Sequence, residues 1–282
     1  MTYSRRTFLA GLPALWMLPA LAAVEAPVRF GIVPYLTPRR LVTLYRPMSG
    51  LVERTLGRPV ELSSAPGYAS HLERLRAGEY DLAADSLPIA RIAERELGHL
   101  PLARTRVPLQ PVLIAARARP LARTAALRGG SVVVSDRLAA LTLIGFRYLR
   151  DQGLVPGRDV RIVVAGTHAN AFSRLLAGEA DAAVVSRTAM RQTAPALVER
   201  TMVVTELPAA LAAVVYHAAP RLAAEAPRLA AAMIDFAENT PEGRTFIGDL
   251  GHGGLLPVGA ELATADPLVT EFYRQMSVRD DR

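Results

Sequence analysis

The 282-residue chain contains no cysteine, and every one of its 33 basic residues is arginine. Absence of cysteine excludes disulfides, thiolate metal sites, a cysteine nucleophile and a lipid anchor on an N-terminal cysteine. Absence of lysine colours the high charge, a formal +7 with a pI of about 10.3. Proteins that hold nucleic acid gather their basic residues into patches. Here the arginines stand singly among acidic residues, with no basic run, so complete use of arginine reads as coding bias and no nucleic-acid partner is expected. No two of the five histidines have metal-ligand spacing, and neither a metal nor a cofactor is expected. Beyond the N-terminus, no stretch approaches the ~20 apolar residues that a membrane span needs. The chain is nevertheless 51% hydrophobic with a mean hydropathy of +0.21, enough to bury a real core.

The N-terminus reads as an export segment. Ser4-Arg5-Arg6-Thr7-Phe8-Leu9 precedes an apolar run over 10–21 and a small-residue site at Ala20-Leu21-Ala22. A charged start, a short hydrophobic core and small residues at a cleavage point make a secretory signal. Its order resembles the twin-arginine signal, with Ala10 where lysine often stands. The run is short for an anchor and is interrupted by Pro13 and Pro19. Residues 1–22 are therefore expected to be a leader, and the mature protein a periplasmic monomer.

What organises the rest is a stretch that occurs twice, 100 positions apart and without a gap. Gly57-Arg58, Leu75, Ala77-Gly78-Glu79, Asp81 and Ser86 recur as Gly157-Arg158, Leu175, Ala177-Gly178-Glu179, Asp181 and Ser186. Each copy reads as strand, helix, strand: a short apolar run at 60–63 or 160–164, a segment with helical spacing, then a buried-type strand after the aspartate. Gly78 and Gly178 suit the left-handed residue that ends a helix. Two related α/β lobes follow, and in such sheets ligands bind beyond the carboxyl ends of the strands, beside helix N-termini.

In chain order, a strand at 28–33 leads into a helix at 39–56, and a further helix is expected at 88–97. The prolines at 108 and 111 make 102–117 an extended crossing to the second lobe. That lobe starts with a strand at 131–135 and a helix at 138–152, and the return crossing falls at 211–216. Residues 220–276 read as helices that pack back on the first lobe.

These pieces resemble the phosphate/phosphite/phosphonate-type substrate-binding proteins of ABC transporters. The resemblance rests on Phe30-Gly31-Ile32-Val33-Pro34-Tyr35, Leu56-Gly57-Arg58-Pro59-Val60-Glu61-Leu62, Tyr68-Ala69, Gly166-Thr167-His168 and the two Ala-Gly-Glu-x-Asp runs. It implies a two-lobed α/β fold of the periplasmic-binding-protein type (type II) that closes on a small ligand. Lobe 1 would comprise 27–112 and 217–282, and lobe 2 would comprise 113–216. Such a protein is no enzyme: it captures a small oxyanion and delivers it to an ABC permease. The alternative is a sensor that passes its signal to a membrane kinase. The family usually carries a Ser-Thr-Ser-type loop after the second lobe's first strand. Here that place reads Asp136-Arg137-Leu138-Ala139-Ala140-Leu141-Thr142, which keeps one hydroxyl, Thr142.

The candidate ligand contacts stand at strand ends and helix starts. Tyr35 either donates into the cleft or packs on Pro34. Tyr68 and His168 open helices at equivalent places in the repeat, and Asn170 neighbours the histidine. Asp85 and Ser86 end one copy and either touch ligand or cap the helix before Pro88. Ser186 and Arg187 end the other copy, and the Arg187 guanidinium suits an oxyanion. His71, His99 and His252 read as surface residues.

Overall fold

The computed structural model describes residues 26–280, so the export segment lies outside the described residues. The chain begins β1 (Val28–Ile32), α1 (Pro38–Leu56), β2 (Val60–Ser64), α2 (Tyr68–Arg76), β3 (Leu82–Asp85), α3 (Leu87–Leu97) and β4 (Leu100–Thr105). It continues β5 (Pro111–Ala116), β6 (Ser131–Val134), α4 (Ala140–Asp151), β7 (Arg161–Val164), α5 (His168–Ala177), β8 (Ala182–Ser186), α6 (Arg187–Gln192), α7 (Pro195–Val198) and β9 (Thr201–Glu206). β10 (Val215–Ala218), α8 (Ala226–Asn239), α9 (Pro241–Leu250), β11 (Leu255–Leu256) and α10 (Asp266–Asp280) complete it.

The two copies of the repeat fall in different sheets. One sheet runs β11-β4-β10-β3-β1-β2 and the other β7-β6-β8-β5-β9. Apart from β11, the strand orders are the same. A central strand (β1, β6) lies between the two strands of its repeat, and the next strand (β10, β5) runs antiparallel. That antiparallel strand is in each case the first one after the chain crosses from the other sheet. Among the described residues, no helix is long and apolar enough to cross a membrane.

The repeated residues do the same structural work twice. Gly78 and Gly178 take φ of 68° and 89°, which glycine adopts without a Cβ penalty. This lets Glu79 N–H reach Arg74 O and Glu179 N–H reach Arg174 O, both at 3.0 Å, a Schellman closure of each helix. Two residues on, Asp81 accepts the backbone N–H of Arg29 at 2.7 Å. Asp181 accepts that of Ser131, also at 2.7 Å. The aspartates thereby pin each repeat to the start of its central strand.

In two places the chain departs from the pattern read above. The extended segment at 102–117 is two strands, β4 in one sheet and β5 in the other, so only the residues between them cross. The C-terminal part also divides. α8 packs on α1 and on the first sheet's β4, and α9 on α1 and α8, whereas α10 lies against both α3 and α4. Leu268, Val269 and Phe272 of α10 join one apolar cluster with residues of α3 and α4, and ion pairs accompany this bridging: Arg91 on α3 meets Asp266 at 2.7 Å, and Arg150 on α4 meets the buried Glu271 at 2.5 Å.

Candidate functional site

A cavity of about 110 Å³ lies where the carboxyl ends of the parallel strands of the two sheets face each other, several times the space one water requires. Residues at or just beyond the ends of β1, β3, β6 and β8 and the first residues of α2 and α5, which follow β2 and β7, all reach it. Of the candidate contacts, Tyr35, Tyr68, Ser86, His168 and Ser186 line it together. Tyr68 and His168 come from different lobes, each as the first residue of its helix. Ser86 and Ser186 are likewise equivalent, as the N-cap residues of α3 and α6.

Their hydrogen bonds differ. Ser186 Oγ accepts the Ala189 N–H at 3.0 Å, whereas among the described residues the buried Ser86 Oγ has no partner, and neither has His168 Nδ1. An unmet polar atom of this kind costs ~1–3 kcal/mol, and a bound ligand can relieve it. Tyr35 donates to the Tyr45 hydroxyl at 3.2 Å. Burial pushes the Tyr35 phenol up to about 12, the bond to Tyr45 offsetting part of the rise. Burial, with Asp136 next, raises the Tyr68 phenol further. Burial also drives His168 down to about 4. At neutral pH these three side chains are therefore neutral hydrogen-bonding groups.

The other four candidates lie elsewhere. Asp85 is fully buried and does not line the cavity. It accepts from His71 Nε2 at 2.6 Å and from His217 Nε2 at 2.9 Å, and His99 Nδ1 meets His217 Nδ1 at 2.9 Å. Burial alone would raise its pKa, but the charge and hydrogen bonds of His71 and His217 outweigh it and hold the carboxyl well below the usual range. Burial, then the adjacent His217, brings His99 down to about 3. The surface placement of His71 and His99 is thus corrected: both are buried partners in this network. Thr142 is completely buried in α4, and its hydroxyl has no partner among the described residues. It cannot stand in for a hydroxyl-rich loop. Asn170 is exposed and braces its own loop, its amide donating to Ala165 O at 3.0 Å. Arg187 is spent on an ion pair with Glu206.

The cavity also has walls that the sequence reading missed. Ala139, Ala140 and Leu141 bring the N-terminal turn of α4 to it, where the first amides have no intrahelical acceptor. Arg40 and Asp249, both exposed, are the only fixed charges in the lining among the described residues. His252, expected at the surface, is 6% exposed and lines the cavity. A Schellman turn at Gly251 carries it inward, with His252 N–H on Ile247 O at 3.1 Å. The Gly-His-Gly-Gly run was the available signal: glycines beside a helix end let the chain fold back.

Comparison with known proteins agrees with this architecture. The family described as "ABC transporter, phosphonate, periplasmic substrate-binding protein" matches residues 30–262. The chain belongs to that family, whose members are binding components of transporters and not enzymes. Among solved structures, XAC2383 from Xanthomonas citri bound to chloride is 17% identical with a TM-score of 0.73, covering 90% of this chain and 99% of that one. PhnD1 from Prochlorococcus marinus in complex with methylphosphonate is 12% identical with a TM-score of 0.76, covering 89% and 98%. A binding component of an ABC phosphonate transporter from Pseudomonas aeruginosa (PA3383) is 15% identical with a TM-score of 0.70, covering 90% and 99%. A search among curated proteins finds no match. The fold is that of a type II periplasmic binding protein, and the protein is the substrate-binding component of an ABC system for a small oxyanion of the phosphonate class.

Proposed function

We propose that the cleft binds a small organic phosphonate, gripping its oxyanion with neutral donors and helix-start amides, and passes it to an ABC permease. The observation that carries this is the meeting of Tyr68 with Ser86 and His168 with Ser186, equivalent positions of two lobes, around one cavity. The starts of α2, α3, α4 and α5 surround it as well, and each helix N-terminus supplies about half a positive charge. Chloride and methylphosphonate, found in the structures of XAC2383 and PhnD1, are anions such a site suits.

One feature favours an organic ligand over inorganic phosphate. Leu36, Leu44, Leu109 and Leu141 share the lining, which accommodates an alkyl group. The turn from Asp136 to Thr142 offers the cavity no hydroxyl, so any oxyanion, phosphonate or phosphate, forgoes neutral hydrogen bonds worth roughly 0.5–1.5 kcal/mol each and depends more on the helix-start amides. The family favours transport over the sensor-kinase alternative. Export through the twin-arginine route, with the leader ending near Ala22, fits the sequence of the N-terminus. A thermal-shift series with methylphosphonate, ethylphosphonate, phosphite and phosphate tests the reading. A ligand at 100 times its Kd adds about 2.7 kcal/mol, so the alkyl phosphonates should raise Tm most. A larger rise with phosphate, or none with any of the four, overturns it.

A further inference from the structure

Among the described residues, the unpartnered buried side-chain polar atoms of the cavity lining are three: Ser86 Oγ, His168 Nδ1 and His252 Nδ1. The first two belong to the repeat and face the oxyanion reading already given. His252 does not. It comes from the turn after α9, on a wall completed by the crossing segment at Val107, Pro108 and Leu109. Its backbone is fully used, the N–H on Ile247 O at 3.1 Å and the carbonyl accepting from Val107 N–H at 3.0 Å. Only the ring remains to meet a ligand.

This wall has the opposite electrostatic character to the other. α9 presents its C-terminal end, where the helix carries partial negative charge, although Ile247 O and Gly248 O are capped by the His252 and Gly251 N–H groups. Asp249 lines the cavity from the same turn and makes no ion pair among the described residues. An oxyanion is repelled there. Burial brings His252 down to about 4, so the ring is a neutral imidazole, and in the tautomer that carries its proton on Nε2 the unpartnered Nδ1 accepts. A hydrogen-bond donor is the group that both the imidazole and the carboxylate would hold.

We propose that His252 and Asp249 form a distal subsite for a hydrogen-bond donor, an ammonium or a hydroxyl, at the end of the ligand remote from its oxyanion. The inference rests on the oxyanion reading of the cleft and names the second group of that same ligand. It makes His252 a specificity residue, set apart from the positions that the internal repeat supplies.

Titration calorimetry of the mature protein with ethylphosphonate, hydroxyethylphosphonate and aminoethylphosphonate tests it. The two donor-tailed ligands should bind at least about tenfold tighter than ethylphosphonate, the worth of one added hydrogen bond to a buried polar partner. His252→Leu should collapse that preference, and His252→Gln, which keeps an acceptor, should restore part of it. Asp249→Asn should narrow the gap between the amine and the alcohol, which separates the two donors. Asp249 is exposed, so this variant carries the test even if His252→Leu fails to fold. Equal affinity for the three ligands, or a preference that survives both substitutions, overturns the subsite and leaves the oxyanion reading standing. No binding of any of the three overturns both.

Discussion

Asp85→Ala is the substitution whose outcome separates a structural carboxylate from a ligand-binding one. Asp85 sits at 0% exposure between two histidines that are themselves almost wholly buried. Removing the carboxylate leaves His71 Nε2 and His217 Nε2 without acceptors. Each hydrogen bond to a charged group is worth about 1.5–3 kcal/mol, and breaking a buried pair from one side costs about 3–5 kcal/mol. A loss near the middle of that range is expected in urea unfolding at neutral pH. Asp85→Asn should cost less, since one carbonyl oxygen survives to accept. The acid arm has a defined sign. The folded Asp85 carboxyl titrates below its unfolded value, about 3.9. Its contribution is therefore complete above that value and is lost as pH falls through the folded pKa. The gap between wild type and Asp85→Ala should hold from pH 8 down to about 4 and shrink in stronger acid. A variant that unfolds like wild type yet binds phosphonate poorly would refute the reasoning and return Asp85 to the ligand site.

Three further outcomes are expected. His99, His168 and His252 have pKa values lowered by burial, so the unfolded chain takes up protons first. Stability should be full above about pH 6.5 and decline as pH falls below it; melting curves from pH 7.5 to 4.5 check this, and His252→Gln should flatten the decline. Asp81→Ala and Asp181→Ala should each destabilise the protein by about 1–3 kcal/mol and leave ligand affinity unaltered, because both anchor a repeat and neither lines the cleft. Replacing Arg5 and Arg6 together by lysine should retain the precursor in the cytoplasm, read by fractionation and blotting, since charge is kept but the paired guanidinium signal is lost; undiminished periplasmic protein would contradict the twin-arginine reading.

The repeat made much of the fold legible, because its residues are local instructions. Gly78 and Gly178 end helices, Asp81 and Asp181 pin strands, and apolar spacing marks the faces that pack. The repeat also pointed to Tyr68, His168, Ser86 and Ser186, since equivalent strand ends of two lobes must face one cleft. What stayed hidden depends on contacts between distant segments. Nothing near Asp85 in sequence announces His217, 132 positions away, so the carboxylate read as a ligand group. Arg187 looked free because its partner Glu206 lies on a strand not yet placed beside it. His252 looked exposed because a Gly-rich run reads as a surface loop, and only the Schellman turn of α9 shows the chain folding inward. The bridging position of α10 likewise depends on its contacts with α3 and α4, the ion pairs to Arg91 and Arg150 among them.

The central claim is that neutral donors from both lobes hold an oxyanion between them. Titration calorimetry of wild type, Tyr68→Phe and His168→Ala with ethylphosphonate tests it most directly, alongside melting curves. The account predicts one ligand per chain, with His168→Ala lowering affinity about ten- to a hundredfold, Tyr68→Phe lowering it in the same direction, and both variants still well folded. Unchanged affinity in both well-folded variants, or no binding of phosphonate by wild type, would contradict it.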